Sequence, residues 1–303
     1  MSPELVGQLA DAIFRRWPNA EKLMGILGEA YLDSSETGNG RSRAYTLSCL
    51  VAPSVVWEHF SVAWAESLKC SGAEGKIVHM KNLVHRVGEW EGWTKSQERS
   101  LFEKLIVVIR QYKPVGFCYS LPLQDFEETT NPADEFRPFE LLLDSVMLST
   151  KETFNPTKDN PVVFFMEQDR VVEAGAMQQF FHRTAGRGWT DIFPIFVPLP
   201  KGPEPLQLAD MLVYEGSRFA SEHVLSSSAE KPRKLCQELA SVGTLFFGCA
   251  DRQYLIDWAN EIRTDQQTMS PEQATKIRQA WKAAGKRMQQ YRDAGFGVKR
   301  GGK

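Results

Sequence analysis

Short hydrophobic segments separated by turn-forming residues alternate along the chain between strand-like and helix-like patterns. The segment "GEAYLD" (28–33) predicts a strand, and "RAYTLSCLVAP" (43–53) predicts a second strand that stops at Pro53. Between them, "SETGNG" supplies turn residues, including glycines that permit positive φ angles. The pattern therefore predicts an antiparallel β-hairpin.

Helical spacing of apolar residues predicts several of the elements around this hairpin. Apolar residues from Leu5 to Trp17 recur at this spacing and predict an amphipathic helix that ends near Pro18. Two further helices are predicted over 54–69 and 96–112. The segment "VGFCYSLPL" (115–123) then predicts another buried strand.

The strongest strand pattern in the chain is "NPVVFFMEQDR" (160–170). Its apolar run from Val162 to Met166 indicates burial on both faces of a sheet. A helix is predicted from Val171 to His182, followed by "DIFPIFVPLP" (191–200). Pro194 inside this last segment allows an edge strand at best.

The order of these elements predicts an α/β fold, in which a mixed sheet is flanked by helices. Residues 124–160 are acidic and contain proline, which predicts an insertion with its own helix. A further helix is predicted over 203–220, and the pattern is helical throughout from Lys231. The predicted organisation is one domain over 1–230, including the insertion, and a helical C-terminal extension over 231–303.

Composition narrows the class of protein. The chain of 303 residues is 42% hydrophobic and 24% charged, which is ordinary for a globular protein. It contains no apolar run long enough to cross a bilayer and no signal-peptide core, so we expect a cytoplasmic protein without a membrane partner. Its five cysteines include no Cys-x-x-Cys pair, which favours reduced thiols over a zinc site.

Carboxylates follow or accompany three of the predicted elements. Asp33 ends the first strand, Glu167 and Asp169 end the strand over 160–170, and Asp210 lies in the later helix. Ligands in such sheets gather beyond the carboxyl ends of strands, so we expect these acids to converge. Converging carboxylates repel one another unless a cation neutralises them. Oxygen ligands of this kind favour Mg²⁺ or Mn²⁺, and two such ions suit phosphodiester hydrolysis.

Four segments, "YLDSSETG", "VHMKNL", "FFMEQD" and "EPLQLADMLVYE", resemble the successive motifs of the domain-of-unknown-function 3800 family. The resemblance implies an RNase H-like fold. It implies catalytic and metal-binding roles for Asp33, Glu167 and Asp210. It implies auxiliary roles for Asp169, Glu36, His79, Lys81 and Gln207.

The chain departs from the family's pattern in three places, one of which is the spacing after Glu167, altered by Gln168 and Asp169. Ser34 stands where the family usually has glutamate, and Asn82 replaces the usual acid after Lys81. Ser34 and Asn82 give the best support to an alternative in which the chain keeps the fold but lacks a complete metal site.

The end of the chain is strongly basic. Residues 271–303 contain nine basic and two acidic residues, a net charge of +7. One interpretation is that Lys282, Lys286 and Arg287, together with Lys81, bind a nucleic-acid backbone. The other is a helix that docks by its apolar stripe and exposes its charged face to water. The tryptophans have the same two interpretations, base stacking or core packing: Trp57, Trp64, Trp90 and Trp93.

Together these features predict a metal-dependent nuclease with an RNase H-like two-metal mechanism and a nucleic-acid partner. The alternative is a catalytically inactive RNase H-like protein with a binding or regulatory role, for instance in a mobile element or phage defence.

Overall fold

The first two described strands form the hairpin that the sequence predicts. The structure is a computed structural model that describes residues 28–131, 134–157, 160–167, 180, 189, 196–199, 202–226 and 232–268. Strand β1 (Gly28–Thr37) pairs antiparallel with β2 (Ala44–Pro53), which confirms the predicted hairpin. Gly38 has a φ of +87° in the turn, and a Cβ at this position would collide with the carbonyl oxygen of Ser42. The turn therefore requires glycine.

Four further strands complete a six-stranded mixed sheet. They are β3 (Val115–Pro122), β4 (Val162–Glu167), β5 (Phe196–Leu199) and β6 (Leu245–Cys249). The order across the sheet is β5-β4-β1-β2-β3-β6. Strand β3 pairs antiparallel with β2, whereas the β1–β4, β4–β5 and β3–β6 pairs are parallel. The mixed sheet is thus confirmed, and β5 occupies an edge of it, as the sequence predicted.

Helices connect the strands in the described chain. They are α1 (Ser54–Lys69), α2 (Met80–His85), α3 (Lys95–Tyr112), α4 (Leu123–Thr129), α5 (Pro138–Phe154), α6 (Glu204–Phe219), α7 (Lys234–Ala240) and α8 (Arg252–Thr268). Helix α6 continues directly into a π-helical segment, Ala220–Leu225. The predicted helices over 54–69, 96–112 and 203–220 are therefore confirmed. The helices predicted over Leu5–Trp17 and Val171–His182 lie outside the described residues.

One face of the sheet, called here the first face, packs against α1, α3 and α6. Tyr31 and Phe165 project from this face and stack with their ring centroids 5.0 Å apart. Trp57 and Trp64 of α1 are fully buried against them, so core packing accounts for these tryptophans. Trp90 is also fully buried in this cluster. The three rings are therefore held in the core and do not present their faces to a solvent-side ligand.

The second face packs against α5 and α8. Alternation along β1 and β4 sends Ala30, Leu32 and Phe164 to this side, where they are fully buried. Residues 124–160, which the sequence predicts to be an insertion, supply α5 and thereby cover this face. The sheet is thus enclosed between two helical layers, and β4 is buried on both faces as its apolar run predicted.

The prediction that the chain is helical throughout from Lys231 is wrong at β6. Residues from Leu245 form a strand that pairs with β3. Just before this strand the backbone turns at Gly243, which has a φ of +81°. A short apolar run such as "LFFGC" has no periodicity that separates a buried strand from a turn of helix. The partner strand β3, distant in sequence, decides between them. Helices α7 and α8 agree with the prediction, and residues 269–303 lie outside the described chain.

Two expectations from composition concern the membrane and the thiols. Within the described chain, no helix combines the length and the apolar character needed to span a bilayer. All five cysteines are free thiols, and three of them are buried: Cys49, Cys118 and Cys236. Reduced, mostly buried cysteines agree with the interpretation from their spacing.

Helix α6 approaches the sheet very closely at Gly216, which generates the first prediction. A Cβ on Gly216 would collide with Sγ of Cys118 on β3. We expect Gly216→Ala to destabilise the fold by about 1–3 kcal/mol, because overpacking outweighs the ~1 kcal/mol that alanine gains over glycine in a helix. Urea denaturation measures the change.

The matched control combines Gly216→Ala with Cys118→Ala, which removes the colliding sulfur. Introducing Gly216→Ala into the Cys118→Ala variant should therefore cost less stability than introducing it into the wild type. Stabilisation by Gly216→Ala alone would contradict the close approach of α6 to β3.

Candidate functional site

Two of the predicted acids lie on adjacent parallel strands. Glu167 is the last residue of β4, whereas β1 continues to Thr37, so the prediction that Asp33 ends the first strand is wrong. The last paired residues of β1 and β4 are Leu32 and Met166, and Asp33 and Glu167 follow them directly. Both acids come two residues after Tyr31 and Phe165, so alternation sends them to the first face as well. Both are half-buried. The structure therefore places Asp33 and Glu167 side by side on one face of the sheet.

The third acid reaches this region on α6, which one serine joins to β1. Ser48 of β2 lies directly opposite Asp33 and is fully buried. Its hydroxyl donates to the carbonyl oxygen of Ala209 at 2.9 Å and lies 3.4 Å from the carbonyl oxygen of Asp33. Because Asp210 follows Ala209, this single hydroxyl fixes the helix backbone beside Asp210 against the strand backbone at Asp33.

Asp210 itself is half-buried and binds a neighbouring segment. Its Oδ2 accepts a hydrogen bond from the backbone N–H of Met80 at 2.5 Å. Met80 is the first residue of α2 and belongs to the "VHMKNL" segment. The acid of the last motif therefore holds the segment that carries the middle motif.

Gln207 performs a similar task one turn earlier on α6. Its Oε1 accepts hydrogen bonds from the backbone N–H of Val78 at 2.9 Å and from Nε1 of Trp64 at 3.0 Å. Its Nε2 donates to the carbonyl oxygen of Gly202 at 2.6 Å. Only 5% of Gln207 is exposed, so its role in the structure is to position the chain around residue 78.

His79 and Lys81 are placed by these contacts. His79 is half-buried at the residue that precedes α2, and its carbonyl oxygen accepts the N–H of Leu83. Lys81 is exposed on α2 and forms no ion pair with any other described residue. Asp210 thus anchors a short helix from which a lysine projects into solvent.

Glu36 is not brought to the three acids. It lies roughly 10 Å further along β1 than Asp33 and on the opposite face by alternation. Its Oε1 accepts from Nε and Nη2 of Arg43 at 3.1 and 2.8 Å. The resemblance implies an auxiliary role for Glu36, but the strand's pleat separates this residue from Asp33.

The three acids do not by themselves form a closed metal cage. Oδ1 of Asp33 accepts the backbone N–H of Ser34 at 2.8 Å. Among the described residues, no group of three or more His, Cys, Asp or Glu side chains is arranged to hold a metal ion. Asp169 and the predicted nucleic-acid contacts Lys282, Lys286 and Arg287 lie outside the described residues, so the structure leaves these predictions as they stand.

Sequence reasoning missed Ser48. A signal for it exists in β2, where Thr46 and Ser48 place hydroxyls at alternate positions of an otherwise apolar strand. Both face α6, and Thr46 shares a 2.8 Å hydrogen bond with Ser120 of β3. Alternate polar residues in a buried strand indicate a polar end of one face, which is where the acids lie.

Comparisons with known proteins identify no relative of this chain. No family model, no curated protein and no solved structure matches it. The function is therefore inferred from the arrangement of residues in the site.

The contacts of Gln207 generate the second prediction. We expect Gln207→Ala to destabilise the protein by about 2–4 kcal/mol, because the buried N–H groups of Val78 and Trp64 lose their acceptor. Gln253 on α8 is exposed, so Gln253→Ala should change stability by less than about 0.5 kcal/mol. Chemical denaturation of both variants compares them, and equal effects would contradict the positioning role of Gln207.

Proposed function

We propose that this protein is a metal-dependent phosphodiester hydrolase acting on nucleic acid, with an RNase H-like fold and active site. One observation carries the proposal: Asp33 and Glu167 follow the last paired residues of adjacent parallel strands, under the helix that bears Asp210. Carboxylates from β1, β4 and a late helix are thereby directed to one end of one face.

The strand arrangement supports the RNase H-like part of this proposal. Three antiparallel strands, β3, β2 and β1, continue into the parallel strands β4 and β5. RNase H-like folds share this order, and here β6 extends the sheet beyond β3. Fold alone does not establish an activity, so the acids have to support the chemistry.

The donor atoms fit a hard divalent cation. Asp33, Glu167 and Asp210 offer carboxylate oxygens, which Mg²⁺ and Mn²⁺ prefer. A backbone amide binds one oxygen each of Asp33 and Asp210, and this orients both carboxylates. A bound cation would supply charge neutralisation and activation of water for attack on phosphorus.

The remaining tasks fall to residues around these acids. Asp33, Glu167 and Asp210 hold the cation in this proposal, with Asp169 assisting. Lys81, exposed on the helix that Asp210 anchors, binds a phosphate of the substrate backbone. The basic residues Lys282, Lys286 and Arg287 add contacts to the same backbone.

A second candidate is a non-catalytic protein that uses this fold to bind nucleic acid. The observation that favours it is the hydrogen bond from Met80 to Asp210, which gives this acid a structural task without any metal. Ser34 and Asn82, two of the departures from the family pattern, point the same way.

Divalent-cation dependence distinguishes the two candidates. We expect Mn²⁺ to support cleavage of nucleic acid and to raise the melting temperature, since a cation at 100 times its Kd stabilises the fold by about 2.7 kcal/mol. Asp33→Asn should remove both effects, because it removes a charged ligand. Oligonucleotide cleavage and thermal unfolding, each with Mn²⁺ and with EDTA, provide the measurements.

Glu36→Gln is the matched control. It removes a carboxylate from the same strand but from the opposite face, where only the exposed ion pair with Arg43 is lost. Such a pair is worth about 0–1 kcal/mol, so cleavage and Mn²⁺ stabilisation should persist. Binding of nucleic acid without cleavage or cation stabilisation in the wild type would instead establish the non-catalytic candidate.

A further inference from the structure

A shallow cleft lies where the C-terminal end of α6 meets the start of α7. Two arginines and two glutamates line it. These four residues are Arg218, Arg233, Glu215 and Glu222. Arginines gathered in a cleft are suited to phosphate, because the guanidinium group donates several hydrogen bonds in one plane.

A buried carboxylate orients Arg233. Its Nη1 donates to Oε1 of Glu215 at 2.8 Å, and the side chain of Glu215 is only 1% exposed. The pKa of Glu215 is raised above its usual value because the side chain is buried. The charges of Arg233 and Arg218 offset only part of this rise. The side chain of Arg233 remains 29% exposed. Glu215 therefore holds the guanidinium group on its buried side, and the rest of the group reaches solvent in the cleft.

Arg218 has a partner of a different kind. Its Nε donates to Oε1 of Glu222 at 2.9 Å, and the Glu222 side chain is 43% exposed. Exposed ion pairs one turn apart on a helix are weak. A phosphate, which offers more charge and more acceptor oxygens than a carboxylate, is able to displace Glu222 from Arg218.

An aromatic ring places the two arginines together. The guanidinium carbons of Arg218 and Arg233 each lie 5.9 Å from the ring centroid of Tyr214. Contacts of this type hold the guanidinium groups by cation–π attraction. The cleft therefore presents two cations with restricted orientations.

The cleft lies on the same helical stripe as the candidate active site. Asp210, Tyr214 and Arg218 follow one another at four-residue spacing on α6. At 1.5 Å per residue, Arg218 is about 12 Å from Asp210 along the helix. This separation is short enough for one nucleic-acid strand to reach both positions, since its phosphates repeat at intervals of a few ångströms.

We propose that Arg218 and Arg233 form a phosphate-binding subsite for a nucleic-acid strand whose other phosphates reach the acids around Asp210. Glu222 occupies this subsite when no substrate is bound, and Glu215 keeps Arg233 in place. The subsite rests on the proposed function for its substrate class, and it adds a contact that none of the sequence motifs predicts.

The test is binding of a fluorescently labelled single-stranded oligonucleotide of about 16 nucleotides, measured by anisotropy in EDTA. Arg218→Gln should weaken binding by about tenfold and reduce the slope of log affinity against log salt by about 0.7. Glu222→Gln should strengthen binding several-fold, because it removes the carboxylate that competes for Arg218. A purely structural ion pair predicts no gain from this second variant.

Arg252→Gln is the control for the charge change. Arg252 on α8 is exposed and pairs with two carboxylates, Asp125 and Glu128, as Arg218 pairs with Glu222. Its replacement should leave affinity within about twofold of the wild type. Thermal unfolding checks that all three variants are folded. We expect them to be, because they alter only exposed or partly exposed ion pairs.

Unchanged affinity in both Arg218→Gln and Glu222→Gln, or no binding by the wild type, would overturn the subsite. Cleavage by the wild type in Mn²⁺ tests the proposed function separately. If cleavage occurs and both variants bind normally, the subsite is wrong and the nuclease proposal stands. If the variants change binding as expected and no divalent cation supports cleavage, the subsite stands and the nuclease proposal fails.

Discussion

The close packing of α6 on the sheet is the constraint on which the candidate site depends. Gly216 allows the helix backbone to approach Cys118 of β3, and the Cys118 thiol donates to the carbonyl oxygen of Leu212. Ser48 makes the corresponding contact to Ala209 over β2. These contacts fix the distance of α6 from the sheet and its position along the strands. Backbone packing therefore sets the distance from Asp210 to Asp33 and Glu167.

The same helix also organises the surface next to the acids. Gln207 and Asp210 bind alternate backbone N–H groups of the segment that leads into α2, at Val78 and Met80. Buried polar groups of this kind are costly to leave without partners, which gives both side chains a structural task. A catalytic role for Asp210 is compatible with this task, because a carboxylate has two oxygens and several acceptor positions.

Much of the fold follows from local pattern. The hairpin, the buried strand β4 and the edge position of β5 were all predicted from apolar runs, turn residues and a proline. Strand β6 was not, because five residues carry too little periodicity and only the pairing with β3 defines them. For the site, the motifs supplied the acids but gave no reason to separate Glu36 from Asp33 or to include Ser48.

The sequence by itself determined most of the strands and helices of the described chain, and therefore the α/β class and the types of side chain available. Only the tertiary structure decided which polar residues meet, because β1 and β4 become neighbours across more than a hundred residues of chain. It also turned Gln207 into a bridge between α6 and the segment before α2, and it gathered Arg218 and Arg233 around Tyr214. Such contacts depend on packing between distant segments, which local propensity does not encode.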